Sequence, residues 1–191
     1  SGMKFPSSTS FALLGAALIA ISYGLARFAF GLFVPPIRDD LGLAPDVIGV
    51  IGALPLISFV FATLVAPLSA NRLGARNAAM ASGIVVGLVL ISQAVGAVSL
   101  GVGVVLCGIC TGLMMPALTA AMQALVRRSL HGWVSSVMNA GTSIGVVVAV
   151  PTILFLAGAW RYAYASFAVL AVIGVIATWF FIPSVSRVVP A

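Results

Sequence analysis

SYGLARFAFGLFVPPIRDDLGL, residues 22–43, opens inside a long apolar run and carries Arg27 within it, with no acidic residue near it on the same segment. An arginine at membrane depth costs roughly 2.5–3.5 kcal/mol on insertion scales, so it is tolerated only where it faces protein or a watery cavity. The run is expected to stop at Pro35-Pro36, beyond which Asp39 and Asp40 begin a short polar loop. One apolar helix therefore carries a buried cation, and the later segments must supply its neighbours.

Composition fixes the solvent. Of 191 residues, 62% are hydrophobic and 6% charged, and mean hydropathy is +1.27; a soluble domain carries about 25% charged residues. Glutamate is absent, and Asp39, Asp40 and Asp46 fall in one short segment. The net charge of +6 does not mark a nucleic-acid binder, because the lysine and arginines stand singly or in pairs between apolar runs, with no aromatics interleaved. Ser1-Gly2 before Met3 reads as a cloning scar. Lys4 and the apolar residues after it resemble a signal peptide, but the run reaches Val34, about 24 residues, too long for such a segment.

Six apolar runs, roughly 11–34, 47–69, 77–98, 100–126, 133–156 and 161–182, are each near the 20 residues a span requires. Lys4, Arg72, Arg76, Arg127, Arg128 and Arg187 fall on one side of the alternating breaks, against Arg38 and Arg161 with all three Asp on the other. The positive-inside rule then predicts cytoplasmic N- and C-termini. Trp160, Tyr162 and Tyr164 are expected in the outer aromatic belt, and Trp179, Phe180 and Phe181 in the inner one.

GLFVPPI at 31–37 recurs as GLMMPAL at 112–118, and Ala66-Pro67 has a counterpart in Val150-Pro151. Two three-helix units, 1–98 and 99–191, follow. Three is odd, so the second is inverted in the membrane, the architecture of a six-helix half of a secondary transporter. Gly83/Gly87, Gly108/Gly112 and Gly141/Gly145 are GxxxG pairs, which let helix backbones approach closely.

Arg27 has two readings. It binds an anionic group of a substrate in a central cavity, sharing a helical face with Tyr23 and Phe30, or it bonds carbonyls or hydroxyls of another helix and fixes packing. Ser135, Ser136, Asn139, Thr142 and Ser143 fall within about a 120° arc, a polar stripe on the fifth run; Cys107, Thr111, Met115, Thr119 and Met122 share one face of the fourth. Both sets are candidates for a cavity wall or for interhelical hydrogen bonds. The pair Cys107 and Cys110 lies deep in the fourth run with no second cysteine pair to exchange with, which argues against redox cycling. His131, the sole histidine, has no Asp, Glu or Cys beside it in sequence. No catalytic residue, metal site or cofactor is expected, and enzyme activity is not expected.

The break at 71–76, Asn-Arg-Leu-Gly-Ala-Arg, resembles the loop motif G-x-L-a-D-R-x-G-R-[KR] of the major facilitator superfamily. Arg72, Gly74 and Arg76 match it, while Pro67, Asn71 and Ala75 depart from it. The residues 127–145, ArgArgSer followed by Gly132 and SSVMNAGTSIG, are similar to that family's region between helices four and five. The opening stretch resembles helix one of a bacterial branch of the family. The resemblance implies an all-α membrane protein matching the first six helices of a twelve-helix fold, as a fragment or as a natural half. It implies helices one, two, four and five around the cavity, with Arg27, Tyr23, Phe30, Thr111, Met115, Ser135, Asn139, Thr142 and Ser143 as substrate-binding candidates. It implies Asn71, Arg72, Gly74 and Arg76 as a conformational loop. The expected partners are a small solute, the lipid bilayer of a bacterial inner membrane, and a second copy or a separate C-terminal six-helix half.

Overall fold

A computed structural model describes residues 7–65 and 73–181, without the side chains of 73–76 and 157. Asn71 and Arg72, and the side-chain environment of Gly74 and Arg76, lie outside the described residues, as do Lys4, Pro67 and Arg187. The described chain is all-helical with no strand: α1 (Ser8–Leu41), α2 (Pro45–Val65), α3 (Leu73–Ser92), α4 (Ala97–Leu125), α5 (His131–Leu156) and α6 (Trp160–Phe181). Five of these are long and apolar enough to cross a membrane; in α3 the apolar stretch, Asn77–Ser92, is shorter.

The first helix begins earlier and ends later than the sequence suggests. Ser7 caps its start by accepting from the Ser10 amide at 3.1 Å. Pro35 and Pro36 do not end it. The helix passes through both and stops at Gly42, whose left-handed backbone (φ 63°) closes the C-terminus. The Leu43 amide then bonds the Arg38 carbonyl at 3.0 Å. Prolines stand inside α2, α4 and α5 as well, at Pro55, Pro116 and Pro151; apolar helices tolerate them where neighbours re-satisfy the freed backbone groups. Residues Ala20–Phe28 are wound as a π-helix, so the Ala29 amide reaches the Gly24 carbonyl five residues back. Two side chains act on the backbone there. Ser22 Oγ donates to the Leu18 carbonyl at 2.7 Å, and Thr111 Oγ1 of α4 donates to the Ser22 carbonyl at 3.3 Å.

Small residues set the helix contacts. A side chain at Gly112 of α4 would meet the Phe59 carbonyl of α2 at 2.7 Å, and one at Gly145 of α5 would meet Gly24 Cα of α1 at 2.7 Å. On α3, a side chain at Gly87 would meet Cys107 Sγ at 2.5 Å, and one at Gly83 would meet Cys110 Sγ. The buried cysteines therefore fill the space that the α3 glycines leave.

One end of the bundle is tied by polar contacts. Trp160 Nε1 donates to Asp40 Oδ2 at 3.0 Å, Arg161 Nη1 donates to the Ser92 carbonyl at 3.1 Å, and the Arg161 guanidinium lies 4.4 Å from the Trp160 ring centre. The C-termini of α1 and α3 and the start of α6 thus meet at one end. Trp160 and Tyr164 correct the expected aromatic belt: they are 2% and 0% exposed. Tyr164 joins Phe33 and Phe167 in an edge-to-face cluster with centroids 5.4–6.2 Å apart. These rings pack α6 on α1, and only Tyr162 of the three points outward. At the other end, His131 Nε2 donates to the Val126 carbonyl at 2.8 Å, closing the last turn of α4.

Candidate functional site

Arg27 sits in the last turn of the π segment, half-buried. Its guanidinium carbon lies 4.2 Å from the ring centre of Phe59 on α2, 5.3 Å from Phe28 and 5.9 Å from Tyr23. Tyr23 and Phe59 meet edge-to-face at 5.9 Å. Among the described residues the guanidinium contacts rings alone, with no carboxylate, carbonyl or hydroxyl bonded to it. The packing alternative, in which Arg27 bonds another helix's polar groups, is not what these contacts show. Cation–π contact is worth about 0.5–2 kcal/mol, and the N–H donors of the guanidinium have no oxygen partner among the described residues.

The helix end from which this group is measured differs from expectation. Measured from Val34 it would lie about 10 Å from the helix end. Because α1 continues to Leu41, Arg27 is about 21 Å from its C-terminus and about 28 Å from Ser8. It therefore stands near the middle of the helix.

The other candidates separate into groups. Tyr23 stands with Arg27. Phe30 is buried in the core, and Thr111 is fully buried with its hydroxyl committed to Ser22; neither offers open surface. Met115 is partly buried against the core. On α5, Asn139 Nδ2 donates to the Ser135 carbonyl at 2.8 Å and lies 3.4 Å from Ser135 Oγ; Ser136 donates to the Gly132 carbonyl at 2.8 Å. Thr142 is half-buried; Asn139 and Ser143 are exposed. The stripe flanks the face of α5 that packs on α1, formed by Val134, Met138, Gly141, Gly145 and Ala149.

Gly141 lies beside Ala16, and Gly145 beside Ala20 and Gly24, so α1 and α5 run parallel. In that register Arg27 stands beyond Gly145, about 10 Å along the axis from Ser143 and about 20 Å from Ser135. The stripe and the cation are therefore stations along one length of the bundle rather than one cluster.

Phe59, the ring nearest the guanidinium, is not among the residues the sequence singles out. Among the described residues no three His, Cys, Asp or Glu side chains could hold a metal ion. A family model described as Major Facilitator Superfamily matches residues 16–191. No curated protein matches the chain.

Proposed function

Because the chain belongs to the major facilitator superfamily, we propose that it moves a small anionic organic solute across a membrane by alternating access, with Arg27 as the counter-charge. The observation that carries this reading is a guanidinium midway along an apolar helix, held by Phe59, with no polar partner among the described residues. An unpaired cation within a membrane span is costly unless an anion or water meets it, and its N–H donors match a carboxylate. None of the three Asp stands midway along its helix. Asp39 and Asp40 lie in the last turn of α1 and Asp46 in the first turn of α2, so proton coupling through a membrane carboxylate is not the reading we favour for this chain.

The proposal extends to assembly. Asn139 and Ser143 are exposed on α5, where lipid would leave polar groups poorly satisfied. Phe61 and Leu64 of α2 and Val147 and Phe155 of α5 are exposed as well. A second six-helix unit, another copy or a separate C-terminal half, would cover these faces and enclose Arg27 about an axis along the membrane normal. The α2–α4 and α1–α5 glycine contacts support two inverted repeats, 1–98 and 99–191. Cytoplasmic termini in a bacterial inner membrane complete the reading.

The test is calorimetry of the purified chain against acetate, benzoate and succinate, followed by Arg27→Gln and Arg27→Lys. We expect Gln to fold and to lose binding, and Lys to restore it in part, since a point charge does not replace a planar fork. Unchanged affinity in Arg27→Gln assigns Arg27 to packing and ends the proposal. Single cysteines beside Arg27, with Cys107 and Cys110 replaced, should cross-link between copies if the unit is a homodimer.

A further inference from the structure

Three faces of α4 are occupied: Cys107 and Cys110 meet α3, Thr111 meets α1, and Gly108 and Gly112 meet α2. The fourth is open. Along it Val98, Val102, Val105 and Ile109, with Val50 and Leu54 of α2, line a groove of about 750 Å³. It lies across the α2–α4 contact from Phe59 and Arg27, so it is separate from the solute site. From Ala97 to Ile109 it runs about 18 Å, close to the roughly 15 Å depth of one hydrocarbon leaflet. Among the described residues its one charged lining residue is Asp46, in the first turn of α2.

The three carboxylates of the chain differ in a telling way. Asp39 pairs with Arg38 at 3.2 Å, and Asp40 accepts from Trp160. Asp46 has no hydrogen bond or ion pair among the described residues. The start of α2 stabilises its charge but does not use its oxygens. We infer that the groove holds a membrane lipid with a primary-amine headgroup, its chain against the valines and its ammonium on Asp46. An ammonium offers three N–H donors to a carboxylate. A quaternary choline offers none, and a phosphoglycerol headgroup brings like charge.

Gly101 forms part of the groove wall, and a side chain there would meet only Leu54 Cδ1, at 4.0 Å. Gly101→Leu therefore adds a side chain to the groove wall at a position that accommodates a Cβ. Val98→Trp, at a position 82% exposed, repeats the filling away from every helix contact. The experiment purifies the full chain from bilayers of equal parts phosphatidylethanolamine, phosphatidylcholine and phosphatidylglycerol and weighs the retained lipid by mass spectrometry. Phosphatidylethanolamine should be enriched about threefold, the size an exposed ion pair supplies. Asp46→Asn should abolish the enrichment with lipid still retained, and each filling variant should reduce the lipid retained. Equal composition and amount in wild type and all variants overturns the inference, as does preferential retention of phosphatidylglycerol.

Discussion

Gly145→Ala measures how closely α5 and α1 are drawn together. The added Cβ would stand 2.7 Å from Gly24 Cα and 3.1 Å from the Ala20 carbonyl carbon, roughly 0.8 Å inside the shortest comfortable carbon–carbon separation at the first of these. Both atoms are backbone, so no side chain swings away and the helices must part. Overpacking of this kind costs about 1–3 kcal/mol. Alanine also gains helix propensity over glycine, so the proper control is Gly52→Ala on α2, where a side chain meets nothing within 4 Å. Gly15→Ala is intermediate, because its obstacle is the thioether end of Met138, which can turn aside. Thermal unfolding in detergent should therefore rank Gly52→Ala highest, Gly15→Ala next and Gly145→Ala lowest. The outer two should differ by roughly 2–12 °C on the scale for domains of this size. If Gly145→Ala melts with Gly52→Ala, the close α1–α5 contact is wrong, and with it the register that places Arg27 relative to the α5 stripe.

Phe59→Leu removes the ring nearest Arg27, and carboxylate affinity by calorimetry should fall about 2- to 30-fold, the worth of a cation–π contact; an unchanged constant would mean the ring does not orient the guanidinium. Trp160→Phe deletes the donor to Asp40, a hydrogen bond to a charged group worth about 1.5–3 kcal/mol, and should lower the melting temperature by roughly 3–12 °C. Asp40→Asn added to Trp160→Phe should cost little more, since both act on one contact; fully additive losses would deny the coupling.

The apolar runs and the GxxxG pairs were legible because period, length and small-residue spacing are local properties of the sequence. So was Arg27, since a cation in an apolar run is conspicuous whatever packs around it. Its partner was not. Phe59 is one of two phenylalanines on α2, and only the α1–α2 packing chooses it over Phe61, which is exposed. Trp160 and Tyr164 misled for a related reason. An aromatic near a helix end reads as an interfacial anchor, but the α6–α1 contact draws both rings inward. Pro35-Pro36 suggests a stop because proline removes backbone donors, yet the helix runs through both, with Pro35 exposed and Pro36 half-buried.

The π segment alters the face of α1 that carries Arg27. In a regular α-helix Tyr23, Arg27, Phe30 and Val34 line one side. Bonding to the fifth residue back widens the turn across Ala20–Phe28, so everything after it is rotated relative to an α-helical projection. Phe30 consequently turns into the core at 5% exposure, while Arg27 stays half-buried over Phe59. The cause lies partly on another helix, because the Thr111 hydroxyl occupies the Ser22 carbonyl at the first turn of the segment. A helix regular through this stretch would carry Arg27 and Phe30 around together and bring both toward the same neighbours. The winding separates the two, committing the ring to packing and leaving the cation's edge without a polar partner among the described residues.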